Sequence, residues 1–175
     1  SVGAIAFGSR QSNEYLEERF PQPALMPSEP GLRALVRIWI DFANSRFTSA
    51  FYKLLLAQTP EAQADWRAEM TEHFHLNAQR GLQEISSDGP YWLGDRFSLL
   101  DITYYPWFER WPVLEHYRGL NIPHDCKQLQ RWHAAMRDRV AVQTTAQPAA
   151  DHIEQYARYA DNTATTSSAR EIKRY

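Results

Sequence analysis

Gly94-Asp95-Arg96-Phe97-Ser98-Leu99-Leu100-Asp101-Ile102 is the stretch on which the fold turns. Ser98 followed three residues on by Asp101 has the form of a capping box, in which the carboxylate reaches back to the amide of the capping residue. Phe97 and Ile102 flank it as a hydrophobic staple. Such a start suits a buried helix, whose orphan amides cannot be left to water. Losing the cap costs about 0.5–2 kcal/mol. The stretch predicts a helix from Leu99 to about Tyr117, bent or broken where Pro106 and Pro112 remove backbone donors.

The same logic extends in both directions. Upstream, Leu35, Ile38, Trp39 and Phe42, then Phe47, Phe51, Leu54 and Leu55, recur at helical spacing and predict a long helix from about Gly31 to about Gln58. Thr59 then caps and Pro60 opens a second helix bearing Trp66, Met70, Phe74, Ala78, Leu82 and Ile85. A turn, Ser87-Asp88-Gly89-Pro90, and an aromatic loop over 91–95 follow. Downstream, Leu129, Trp132, Met136 and Val140 mark a fourth helix, and Pro148 opens a last one with Ile153, Tyr156 and Ala160. Near the start, Ser9 to Phe20 reads as a short helix, while Val2 to Phe7 is the one candidate strand. The fold class expected is all-α, one multi-helix domain.

Composition narrows the function classes. Hydrophobic residues make up 43% and charged residues 23% of the 175, the mix of a folded domain. A net charge of −2 leaves no basic field for phosphates, so nucleic acid is not an expected partner. No apolar run reaches the 18 to 20 residues, roughly, of a membrane span, so none is expected. The single cysteine, Cys126, excludes an internal disulfide and fits a reducing, cytoplasmic setting. His73 and His75, two apart on a helix, aim at different faces, so no metal site is expected from them. The pairs Glu17-Glu18 and Glu69 with Glu72 read as solvated helix faces.

Gly94 to Asp101 resembles the capping-box and staple motif of the glutathione S-transferase superfamily, and Tyr105-Pro106-Trp107-Phe108-Glu109-Arg110 resembles its omega and lambda-like continuation. Glu14-Tyr15-Leu16-Glu17-Glu18-Arg19-Phe20-Pro21 with Leu25-Met26-Pro27 resembles the last helix of the family's thioredoxin-like domain and the linker after it. The resemblance implies four parts: 1–20 as a remnant of the thioredoxin-like domain, 21–30 as a Pro-rich linker, 31–160 as the helical C-terminal domain, and 161–175 as a mobile tail. The family opens the helix with a Glu/Asp-Ser pair that holds the γ-glutamyl end of glutathione. Here the pair reads Gly8-Ser9, so only Ser9 is implied as a glutathione contact. Gln11 and Ser12 replace apolar residues that pack under the family's sheet. The expectation is that most of the thioredoxin-like half, with its thiol-activating residue, is missing, and the opening Ser1 agrees with a processed chain or a piece of a longer product.

The resemblance also implies where an acceptor substrate binds. Trp107, Arg110 and Trp111 share one helical face, an aromatic wall with one cation suited to aromatic, weakly acidic molecules. Phe42 and Arg46 are expected opposite, with Tyr156 or Tyr159 as a lid. The plain alternative makes Trp107 and Trp111 core, with Arg110 paired to Glu109 or Asp101. Cys126, with His124 and Lys127 near it, has the residue types of an activated thiol, but its place at a helix entry reads as structural. No residue of the chain is assigned as catalytic.

Two functions remain open. One is a glutathione-dependent transferase or thiol reductase, with glutathione as co-substrate through the other domain, no metal, and an aromatic small molecule or glutathione conjugate as ligand. The other is a non-catalytic interaction module, as in stringent starvation protein A, whose uncovered apolar surface takes a protein partner or a second copy as a homodimer.

Overall fold

The computed structural model describes residues 9–83, 85 and 89–165, with the backbone alone for 9–12. Helices α1 (Ser9–Arg19), α2 (Pro30–Phe42), α3 (Thr48–Leu56), α4 (Pro60–Leu76), α5 (Leu99–Glu109), α6 (Pro112–Arg118), α7 (Lys127–Arg137), α8 (Val140–Thr145) and α9 (Ala149–Ala160) form an all-α domain. Val2 to Phe7, Ser87, Asp88 and residues 166–175 lie outside the described residues, as do the side chains of Ser9, Gln11 and Ser12. No helix among the described residues is long and apolar enough to cross a membrane.

The capping box at Ser98 is present, and it organises more than its own helix. Asp101 is fully buried, and its carboxylate accepts from the amide and hydroxyl of Ser98, both at 2.8 Å. It also accepts from the Trp92 amide at 3.2 Å and the Trp132 indole N–H at 2.8 Å. One carboxylate thus ties the aromatic loop, the start of α5 and α7 together. Burial pushes the Asp101 pKa up, outweighing the donors that pull it down. The amide of Leu99 meanwhile donates to Leu25 O at 3.0 Å, docking the proline-rich connector on the same start.

The expected long helix forms as α2 and α3 joined by a π-helical stretch, Ala43–Phe47. There Asn44 and Ser45 donate their side chains to the carbonyls of Ile40 and Asp41, at 2.9 and 2.7 Å. A second π-helical stretch, Asn77–Gln83, extends α4. Phe47, Phe51, Phe74, Tyr104, Phe108 and Trp111 meet in one core, with Phe47 stacked on Phe108 at 5.7 Å and Phe74 edge-on to Trp111 at 4.7 Å. Pro106 stays inside α5, whereas the chain breaks before Pro112, as expected of a proline at the first position of a new helix. Gly119, at φ +63°, ends α6 in the left-handed conformation that a side chain would strain.

Three expectations are corrected. Ile38 is 64% exposed, because the buried face of α2 runs through Val36, Trp39 and Ile40 instead. Val140 does not continue α7, which ends at Arg137; it opens α8 and is 74% exposed. Glu17 is no free surface charge, since its carboxylate accepts the amides of Leu25 and Met26 at 3.0 and 2.9 Å. Just past α9 the amides of Thr163 and Ala164 donate to Arg158 O, and Ala164 is buried.

Candidate functional site

Three elements converge on one half-buried aromatic patch. From α3 comes Tyr52, from α5 Trp107, and from α9 Tyr156 and Tyr159. Tyr52 stands edge-on to Trp107 at 5.7 Å and stacks on Tyr156 at 6.3 Å, and Tyr156 and Tyr159 lie 5.5 Å apart. Phe51 lies beneath, its ring 5.4 Å from Trp107. The position of α9 is fixed by Arg118, which donates to the carbonyls of Leu54, Leu55 and Ala160, and by Tyr117, which donates to Ile153 O at 3.0 Å. The patch is therefore held at its edges by side-chain-to-backbone hydrogen bonds and not by its own rings alone.

Arg110 supplies the charge. It follows α5, donates to Pro106 O at 2.7 Å, and its guanidinium carbon lies 5.9 Å from the Trp107 ring centre. It pairs with neither Glu109 nor Asp101, whose carboxylate is taken by Ser98, Trp92 and Trp132. Burial, with Tyr156 close by, pushes the Tyr52 pKa well up, so its hydroxyl stays neutral. That hydroxyl lies 3.5 Å from the Tyr156 hydroxyl. The patch thus offers ring faces, phenol hydrogen bonds and one cation, the means to bind a flat, weakly acidic molecule.

The sequence-derived site residues divide. Trp107, Arg110, Tyr156 and Tyr159 are brought together. Trp111 is 1% exposed and packs against Phe47, Phe74 and Phe108, with its indole N–H bound to Leu120 O at 2.9 Å. It supports the wall from the core. Phe42 and Arg46 do not oppose Trp107: Phe42 sits edge-on to His73 of α4 at 5.1 Å, and both line a hollow with Glu72, His73 and Leu76. The residue that takes the opposite wall is Tyr52, ten positions on and facing another neighbour. Only its aromatic type, beside Phe51, pointed to it.

Cys126 is buried at the entry to α7, and burial followed by the Asp125 charge pushes its thiol pKa up. The thiol is held in its protonated form. His73 and His75 diverge as expected, His73 toward Phe42 and Glu69, and His75 toward Asp125. A separate hollow of about 910 Å³ between α5, α6 and α7 is lined by Glu109, Glu115, His124, His133 and Arg137 among others. Burial pushes the His133 pKa down to about 4, so that imidazole is neutral at neutral pH.

Known proteins bear on this geometry. The family described as Glutathione S-transferase, C-terminal domain, matches residues 60–135. The chain is 26% identical over 136 residues to glutathione S-transferase 3 of Glycine max, covering 75% of this chain and 58% of that one. It is 29% identical over 119 residues to the stringent starvation protein A homolog of Coxiella burnetii, covering 68% and 52%. Among solved structures, glutathione transferase Omega 3C from Trametes versicolor is 31% identical with a TM-score of 0.75, covering 91% of this chain and 67% of that one. The theta class glutathione S-transferase from Xanthomonas axonopodis pv. citri, solved with glutathione bound, is 30% identical with a TM-score of 0.60, covering 83% and 70%. The chain spans 58% and 52% of the two curated relatives named, little more than half their length.

Proposed function

Because the chain belongs to the glutathione S-transferase superfamily, we propose that its helices form the acceptor-binding side of a glutathione-dependent transferase or thiol reductase of the omega or lambda-like kind. The observation that carries this reading is the convergence of Tyr52, Trp107, Tyr156 and Tyr159 beside Arg110. Three elements far apart in sequence present ring faces and one cation at a single half-buried place, which suits an aromatic acceptor or the aryl end of a glutathione conjugate. In this reading 31–160 is the acceptor domain, 21–30 the connector, and 1–20 belongs with the thioredoxin-like half that grips and ionises glutathione. The free thiol of Cys126 fits a reducing cytoplasmic setting.

The interaction-module reading keeps one specific support: Leu16, Phe20 and Ile38 are 51%, 64% and 64% exposed on α1, just beyond it, and on α2. A single experiment separates the two. The full chain is titrated with the aromatic sulfonate dye 1-anilinonaphthalene-8-sulfonate, against Trp107→Ala and Ile38→Ser. The acceptor reading expects Trp107→Ala to weaken binding about tenfold, the 1.4 kcal/mol order of one lost aromatic contact, with Ile38→Ser unchanged. Binding that follows Ile38 and ignores Trp107 overturns it in favour of the module.

A further inference from the structure

His75 of α4 presents a hydrogen-bonding problem that a neutral imidazole cannot solve. Its Nδ1 lies 2.9 Å from the carbonyl oxygen of Thr71, and its Nε2 lies 3.0 Å from Oδ2 of Asp125. A carbonyl and a carboxylate both only accept, whereas a neutral imidazole has one N–H and one lone pair. If Nδ1–H donates to Thr71, the Nε2 lone pair faces the carboxylate. A proton shared by the pair or a metal ion between the two joins them.

A third group decides what to look for. The Cys126 thiol lies near the pair: one ligand atom each from His75, Asp125 and Cys126 lies within 4.8 Å of the others. The sulfur is buried, whereas the side chains of His75 and Asp125 are 34% and 72% exposed, and all three border a hollow of about 380 Å³ with Gln79 and Gln128. A metal ion can engage all three groups at once, which a shared proton cannot. The ring is also held as metal-binding imidazoles are, with its far N–H on a backbone carbonyl, which fixes the tautomer that aims Nε2 outward.

We propose that His75 Nε2, Asp125 and Cys126 form a binding site for one divalent ion of the zinc type. One imidazole, one carboxylate and one thiolate are the donor set of a borderline metal, and the hollow leaves a fourth position for water. With bonds of roughly 2.0–2.1 Å to nitrogen and oxygen, tetrahedral ligands stand about 3.3 Å apart. The 3.0 Å between Nε2 and Oδ2 is near that value, so only the sulfur needs to be drawn in. On binding, the S–H bond breaks, the sulfur–metal bond forms and the proton goes to solvent. Thiolate and carboxylate together then balance the two charges of the ion. Lys127 and Arg131 on the rim of the hollow oppose the ion and hold its affinity below that of a cysteine-rich structural site.

The test uses the full chain, reduced and freed of metal with a chelator, and titrated with cobalt(II) as a spectroscopic stand-in. The expected result is one ion per chain, a thiolate-to-cobalt charge-transfer band, and its loss on adding zinc. Asp125→Asn, at an exposed position that does not threaten the fold, weakens binding at least about tenfold, the lower bound for losing even an outer partner of a ligand. Cys126→Ser removes the band, and His124→Ala leaves it unchanged. No band at millimolar cobalt, or binding unaffected by Asp125→Asn, overturns the proposal and leaves His75 and Asp125 as an ordinary ion pair. Trp107→Ala is expected to bind cobalt as the parent does, so this result stands apart from the acceptor reading.

Discussion

Replacing Asp101 by Ala tests whether one carboxylate holds the aromatic loop, α5 and α7 in register. The substitution removes the acceptor of the Ser98 and Trp92 amides and of the Trp132 indole N–H, all buried. Each buried donor left without a partner costs about 1–3 kcal/mol. The Ser98 hydroxyl can rotate elsewhere and is left out of the sum. Against this stands the relief of burying a charge, the effect that raises the Asp101 pKa. The net lies near the lower end for three donors, about 3 kcal/mol, a large share of the 5–15 kcal/mol or so that holds a domain folded. For a chain of 175 residues this lowers the unfolding midpoint by roughly 6–12 °C. Thermal and urea unfolding followed by far-ultraviolet circular dichroism give the value, and Trp fluorescence reports whether Trp92 and Trp132 loosen first. Asp101→Asn is the sharper companion, because its one carbonyl oxygen can keep the Trp92 and Trp132 donors while its NH2 is turned toward the Ser98 amide, which loses its acceptor. An Ala variant within 1 kcal/mol or so of the parent would refute the reasoning, since the three donors would then have other partners.

Two further perturbations follow from the packing and the buried imidazoles. A Cβ added at Gly81 would meet the Trp92 ring at 2.3 and 2.6 Å, so Gly81→Ala is expected to destabilise the domain by about 1–3 kcal/mol, read as a lower urea midpoint. Gains in helix propensity from the same change are smaller than that. His133, with a folded pKa of about 4 against an ordinary 6.5, binds its proton more readily unfolded. Its contribution is complete above pH 6.5 and is lost as pH falls toward 4; His73, also lowered chiefly by burial, acts in the same direction. Stability from urea unfolding is expected to fall by up to about 1.4 kcal/mol per pH unit for His133 in that window, with the slope reduced in His133→Gln. An unchanged slope would remove His133 from the account.

The parts of this molecule that the sequence discloses are those whose cause is local. Ser98 and Asp101, three residues apart, make the capping box they announce, and Thr59 with Pro60 begins α4 as written, the Thr59 hydroxyl accepting from the Ala62 amide at 3.2 Å. Helical periodicity gives α2 to α4 and α7, although it cannot show where the backbone widens to π spacing or that α7 stops before Val140. The sites depend on distance along the chain. Tyr52 meets Tyr156 across 104 residues, and His75 meets Asp125 across 50. A helix wheel sorts residues onto a face but does not say which other face lies opposite, because that is settled by ridge and groove packing of whole helices. Phe42 and Arg46 share the long helical stretch with Tyr52 but face His73 of α4, while Tyr52 sits beside the core Phe51. Helical spacing sends His73 and His75 to different neighbours, but it is silent about a ligand that arrives from the entry of another helix. Both proposed sites therefore rest on pairings between elements, through partners that helical periodicity does not name: Tyr52 for the aromatic wall, Asp125 for the ion.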